Sequence, residues 1–119
     1  MPQPERPQYQ LPPKVIADLI DAPPAPVVSI HSVSRKTLFL HRPNLPSIDE
    51  VAVDELRLAG VRLNPRTTGG SRVFYFDKLF IQQDGKQIKV RGIPPRAKIQ
   101  NVSWSPDGER LAFTITRAR

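Results

Sequence analysis

The spacing of apolar residues changes once along this chain, near Val27. Before that point Val15, Ile16, Leu19 and Ile20 recur at i, i+1, i+4 and i+5, the single apolar stripe of a helix. Pro12 and Pro13 suit a helix start and Pro23 and Pro24 forbid its continuation, so the pattern predicts a two-turn helix over Lys14–Asp21. A helix this short is marginal alone and must dock its stripe on something. From Val27 onward the period falls to two. Val27–Ile30 and Thr37–His41 predict a strand pair, which residues 42–46, with two prolines, break. Ser47 stands three residues before Glu50, the spacing of a capping box, and predicts a helical turn over Ile48–Val51. Residues 55–59 and 61–63 alternate apolar and charged; Gly60 between them reads as a bulge. Residues 64–71 read as a loop. Residues 73–82 read as one strand, or two broken near Asp77-Lys78. Asp84-Gly85 is a hairpin turn, with residues 87–90 as the return strand and 93–96 as a further break.

The sharpest local signal is the run from Trp104 to Gly108. Pro106 presets φ for the first central position of a type I turn, Asp107 suits the second, and the Ser105 side chain can bond back to turn amides. Gly108 then takes a left-handed conformation that a side chain resists. Val102 and Trp104 share one face of the incoming strand, and Leu111, Phe113 and Ile115 one face of the outgoing strand. Such a hairpin is the building block of a β-propeller blade. It has an internal echo. At a shift of 74 positions, Val28-Ser29-Ile30 aligns with Val102-Ser103-Trp104, Lys36 with Arg110, and Phe39 with Phe113. The turn itself is not repeated, since residues 31–34 (His, Ser, Val, Ser) stand where Ser105 to Gly108 stand later.

Composition narrows the picture. A chain of 119 residues can bury one modest core. It contains no Cys, which removes disulfides, thiolate metal sites and cysteine nucleophiles and is compatible with a reducing, cytoplasmic compartment. No apolar run is long enough for a membrane-spanning helix, and the first residues lack the apolar stretch of a secretory signal. Eight of the 14 prolines fall in residues 1–26, so the first ten residues are expected to be extended and poorly ordered. The net charge of +7 sits in the second half, where residues 61–119 carry 12 basic and four acidic side chains. These cations are dispersed and many alternate with apolar residues, as the solvated faces of strands do.

Candidate chemistry is sparse. His31 falls in a predicted turn and His41 ends a strand before Arg42-Pro43; both read as exposed loop residues. Residues 69–73 lack the final glycine of a nucleophile elbow and lead into β structure rather than a helix. Asp49-Glu50 and Asp54-Glu55 read as solvated acids around a turn, not as an acid–base pair. No catalytic, cofactor-binding or metal-binding residue is assigned from the sequence, and no cofactor is expected.

In order along the chain, residues 9–26 (YQLPPKVIADLIDAPPAP), 35–38 (RKTL), 42–48 (RPNLPSI), 55–67 (ELRLAGVRLNPRT) and 101–113 (NVSWSPDGERLAF) resemble the N-terminal part of the cyanobacterial and chloroplast glutamyl endopeptidases, serine peptidases of the prolyl oligopeptidase family. The last segment is similar to a TolB-like propeller repeat. In that family an N-terminal β-propeller gates a C-terminal α/β-hydrolase domain that supplies the Ser, Asp and His. The resemblance implies a mainly β chain holding one to two blades of an incomplete propeller, truncated before the catalytic domain. The implied division is a Pro-rich extension with a helix over 1–26 and a partial propeller over 27–119. No catalytic position of the family falls on any residue here, and the turn at His31 departs from the family's pattern. The expected partner is the remaining propeller and hydrolase part of a split peptidase, with peptide substrates only in that full-length context; neither a membrane nor nucleic acid is expected. The alternative reading is a small basic β-domain that binds nucleic acid or an acidic protein.

Overall fold

The computed structural model describes residues 10–116. Of the first ten residues, expected to be extended, 1–9 lie outside the described residues, as do residues 117–119. Helix α1 spans Lys14–Asp21, between the proline pairs that bracket it in sequence. It buries none of its residues, so its apolar stripe lies open to solvent. The carbonyl of Ile20 accepts a hydrogen bond from the Asn44 side chain.

The rest is mainly antiparallel β structure. Strands β1 (Val27–Ile30), β2 (Thr37–His41), β5 (Lys78–Gln83) and β6 (Lys86–Lys89) form one four-stranded sheet in the order β1-β2-β5-β6. Between its second and third strands the chain leaves to form α2 (Ile48–Val51) and a small hairpin, β3 (Leu56–Leu58) and β4 (Val61–Leu63). A third pair, β7 (Lys98–Trp104) and β8 (Leu111–Thr116), follows. None of these sheets closes on itself.

Local rules account for most of the turns. Ser47 and Glu50 form the reciprocal capping box at α2. Asp84 and Gly85 both have positive φ, as the two-residue turn between β5 and β6 demands. Ala59 and Gly60 do the same between β3 and β4, with φ of 48° and 84°. Gly60 is therefore half of a tight turn and not the bulge its sequence position suggested. The bulge lies in β7 instead, where the register slips between Gln100 and Ser103 and Asn101 takes a φ of 52°. Residues 73–77 are not strand; Phe76 makes an isolated bridge to Ile99 through two 2.9 Å backbone bonds, and Asp77 donates to the His41 carbonyl at 3.0 Å.

The core lies between the four-stranded sheet and the β7-β8 pair. Leu38 and Leu40 alternate along β2 with less buried neighbours, Leu40 is register partner to Leu79, and Ile99 closes over them from β7. Trp104, Leu111 and Phe113 pack against this cluster from the β7-β8 pair. Burying these side chains contributes about 1.5–3 kcal/mol each, and few are fully buried.

Candidate functional site

Two features concentrate the specific side-chain chemistry of this chain: a junction between the two similar hairpins and a cleft beside α2.

At the junction, the β7-β8 turn forms as its residues dictate. Gly108 donates its amide to the Ser105 carbonyl at 2.9 Å, Arg110 donates to the Ser105 hydroxyl at 2.9 Å, and Glu109 donates to the Asp107 carboxylate at 3.0 Å. Asp107 also accepts from the Ser105 hydroxyl, and that bond first, then the Glu109 amide, holds its carboxyl below the usual range. The turn after β1 has different residues yet the same closing bond: His31 donates to the Lys36 carbonyl, and Ser105 to the Arg110 carbonyl, both at 2.9 Å and 74 positions apart. In the first turn His31 does the work of the missing Ser-Pro-Asp, its Nδ1 accepting from the Ser34 amide at 3.2 Å.

The two turns meet. Trp104 Nε1 donates to the Ser29 hydroxyl at 3.2 Å, and the His31 ring tilts against Trp104 at 5.6 Å. Lys36 Nζ donates to the Gly108 carbonyl at 3.1 Å and pairs with Glu109 at 2.8 Å. A Cβ on Gly108 would lie 2.4 Å from His31 Nδ1 and 2.3 Å from Ser34 Oγ. Gly108 is thus required both by its φ of 69° and by this close approach.

The cleft, of about 300 Å³, opens between α2, residues 42–46 and 72–75, and β7. Glu50 on its wall accepts from the Tyr75 hydroxyl at 2.7 Å and pairs with Lys98 at 2.8 Å. Partial burial acts to raise the Glu50 pKa, but the bonds from Lys98 and Tyr75, the Lys98 charge and the Ser47 amide outweigh it and hold the carboxyl low. Burial, then the bond to Glu50 and the charges of Glu50 and Asp77, push the Tyr75 phenol up to about 12. Lys98 also lies 4.7 Å from the centre of the Tyr75 ring, and the Arg42 guanidinium 5.6 Å from that of Phe74.

Several sequence expectations change here. His31 and His41 are half-buried rather than exposed loop residues: one serves the junction, and the other sits on strand β2 with its ring edge-on to Phe80 at 5.1 Å. Glu50 and Glu55 are half-buried rather than fully solvated. Glu55 accepts from the Ser71 hydroxyl and from Arg72 Nε, both at 2.9 Å, and pairs more loosely with Arg62. The Ser71 hydroxyl therefore faces a carboxylate, and among the described residues neither histidine hydrogen-bonds to it. The two glutamates anchor separate clusters and do not form an acid pair. The Tyr75–Glu50–Lys98 link escaped sequence reading: the capping box placed Glu50, but nothing local names partners 25 and 48 positions away. Among the described residues no group of His, Asp and Glu is arranged to hold a metal ion, and no helix is long and apolar enough to cross a membrane.

Fold and site together define a mainly β chain built from small antiparallel sheets, in which long-range polar contacts tie the β7-β8 turn to the first hairpin and α2 to β7. Two plant proteins are similar to it, each named "Probable glutamyl endopeptidase, chloroplastic". The one from Oryza sativa subsp. japonica is 39% identical over 113 residues, and the one from Arabidopsis thaliana 42% identical over 113 residues. Each match takes in 90% of this chain and only 12% of the relative, so the chain spans about an eighth of their length. No protein-family model matches the chain, and no solved structure does.

Proposed function

We propose that this chain is the propeller-forming segment of a glutamyl-endopeptidase-like serine peptidase, structural in role and without peptidase activity of its own. The observation that carries the reading is the 39–42% identity, sustained over 90% of the chain, to one stretch of two such relatives. The sheet order supports it. Apart from the excursion through α2 and β3-β4, strands β1, β2, β5 and β6 run as a four-stranded meander, the make-up of one propeller blade. On this reading β7-β8 is the first half of the next blade, and the 74-residue shift between the two hairpins is the blade-to-blade repeat. In the whole protein the segment helps form the gate through which peptides reach a hydrolase domain. Its partner is the remaining propeller and hydrolase portion.

The compartment belongs to this proposal as well. A cysteine-free chain suits the reducing cytoplasm, whereas the two relatives carry chloroplastic names.

The test is reconstitution. The 119-residue chain is mixed with a second chain corresponding to the rest of a relative's length, and hydrolysis of a fluorogenic peptide with Glu before the scissile bond is followed. The expected result is no hydrolysis by either chain alone and recovery on mixing. Hydrolysis by the 119-residue chain alone, blocked by a fluorophosphonate, would overturn the structural role. A lack of stable association between the two chains would sink the complementation.

A further inference from the structure

The two outer strands of the four-stranded sheet are unlike each other. Strand β6 carries Lys86 and Lys89, and lysines on an edge strand discourage pairing with another chain. Strand β1, Val27–Ile30, has no ionisable side chain and so no such guard. Its backbone is open as well. Bonded and non-bonded pairs alternate along an antiparallel ladder. His31 donates to the Lys36 carbonyl at 2.9 Å, and in the same register Ser29 faces Leu38 and Val27 faces Leu40. These residues spend their backbone groups on β2. Val28 and Ile30 turn theirs to the edge, where among the described residues no strand takes them up.

This pattern is complementary to itself. Laid antiparallel against a second copy with Ser29 on the twofold axis, β1 sets Val28 of each copy opposite Ile30 of the other. Both pairs then exchange both backbone bonds, and every outward group of the two strands finds a partner. Only Ser29 meets its own counterpart, in a non-bonded pair where strands approach closest and a small side chain fits. The side chains agree with the backbone. Val28 is register partner to Phe39, and Phe39 to Phe80, on the face turned away from the Leu38, Leu40 and Leu79 core. Val28 and Ile30 are 50% and 69% exposed. Pairing would join the two Val28–Phe39–Phe80 rows through aliphatic cross-strand contacts. Although the chain carries a net charge of +7, no like charges would meet on the paired strands.

We infer that two copies of this chain associate through β1, antiparallel and in register about Ser29, as a twofold dimer. The contact uses the same patch on both copies, so it closes at two and does not propagate. It lies outside the hairpin junction and the Glu50 cleft and does not depend on the peptidase reading.

Sedimentation equilibrium of the full chain between about 1 and 500 μM should fit monomer and dimer alone, the contact being small and the affinity modest. Val28→Lys should weaken the dimer at least about tenfold, and Gln87→Lys, which adds the same charge on the other outer strand, should leave it within about twofold. Register is read by cross-linking, since the chain has no other Cys. Val28→Cys and Ile30→Cys are made separately, mixed and oxidised. In the inferred register Cα atoms of the 28–30 pair lie about 5.5 Å apart, within disulfide reach, whereas 28–28 and 30–30 are diagonal neighbours about 7–8 Å apart. The mixed disulfide should therefore exceed each single-variant disulfide well beyond the statistical twofold. A monomer throughout the concentration range, open-ended oligomers, equal weakening by the two lysine variants, or a statistical disulfide mixture would each overturn the inference.

Discussion

Gly108 shows how much one residue position can carry. Its φ of 69° disfavours any side chain, and the neighbouring hairpin fills the space a Cβ would need. Gly85 has a similar φ of 74° with nothing within 4 Å of a built Cβ. Gly108→Ala is expected to cost about 2–3 kcal/mol in urea unfolding, against about 1 kcal/mol for Gly85→Ala, which meets only left-handed strain. Equal costs would show that the close approach to His31 and Ser34 contributes nothing. Tyr75 supplies a second residue-scale outcome. In a Tyr9→Phe background, absorbance titration should find a single phenol ionising near 12, and Glu50→Gln should lower that midpoint. Because the folded-state value is raised, this contribution to stability is complete below pH 10 and is lost as pH rises toward about 12.

Among elements, the decisive contact is hairpin on hairpin. The Trp104–Ser29 bond, the His31 ring and the Lys36 bridge join segments more than 70 positions apart. Trp104→Phe and Ser29→Ala should each destabilise the chain, and a double-mutant cycle should return a coupling of about 1 kcal/mol. Zero coupling would mean that the hydrogen bond is replaced by water at no loss. Helix α2 is tied to β7 through Glu50 in a comparable way. Since the Glu50 carboxyl is held below its ordinary 4.5, its contribution is present above that pH and disappears as pH falls through the lower folded-state value. Glu50→Gln should therefore cost less than about 1 kcal/mol near neutrality, the Lys98 end being partly solvated, and nothing in strong acid. The check is urea unfolding of both proteins across that range.

The whole molecule leaves much unsealed. Among the described residues strand β1 pairs only with β2, and Val28 and Ile30 on it are 50% and 69% exposed. On α1, Val15 and Leu19 are each 73% exposed. Open strand edges and apolar stripes of this kind template association. Light scattering should show concentration-dependent self-association of the isolated chain, reduced by Val28→Lys on the edge strand. A strictly monomeric chain at high micromolar concentration would mean that these faces are protected in another way.

The sequence by itself determined whatever depends on near neighbours. The proline pairs bounded α1, the Ser47–Glu50 spacing set α2, Asp84-Gly85 set a hairpin, and Trp104 to Gly108 spelled out a turn. Each is a contest among a few adjacent residues, decided by dihedral limits and local hydrogen bonds. The ordered run of family-like segments also anticipated the plant relatives. Tertiary structure alone decided what depends on distance. It moved the bulge from Gly60 to Asn101, removed residues 73–77 from a strand, and drew His31, Glu50 and Glu55 out of solvent into specific contacts. Beside near neighbours such as Ser34 and Arg62, the partners that fix them include Ser71 on Glu55, Tyr75 and Lys98 on Glu50 and Trp104 on His31, 16 to 73 positions away, and no local preference records which remote side chain will arrive there.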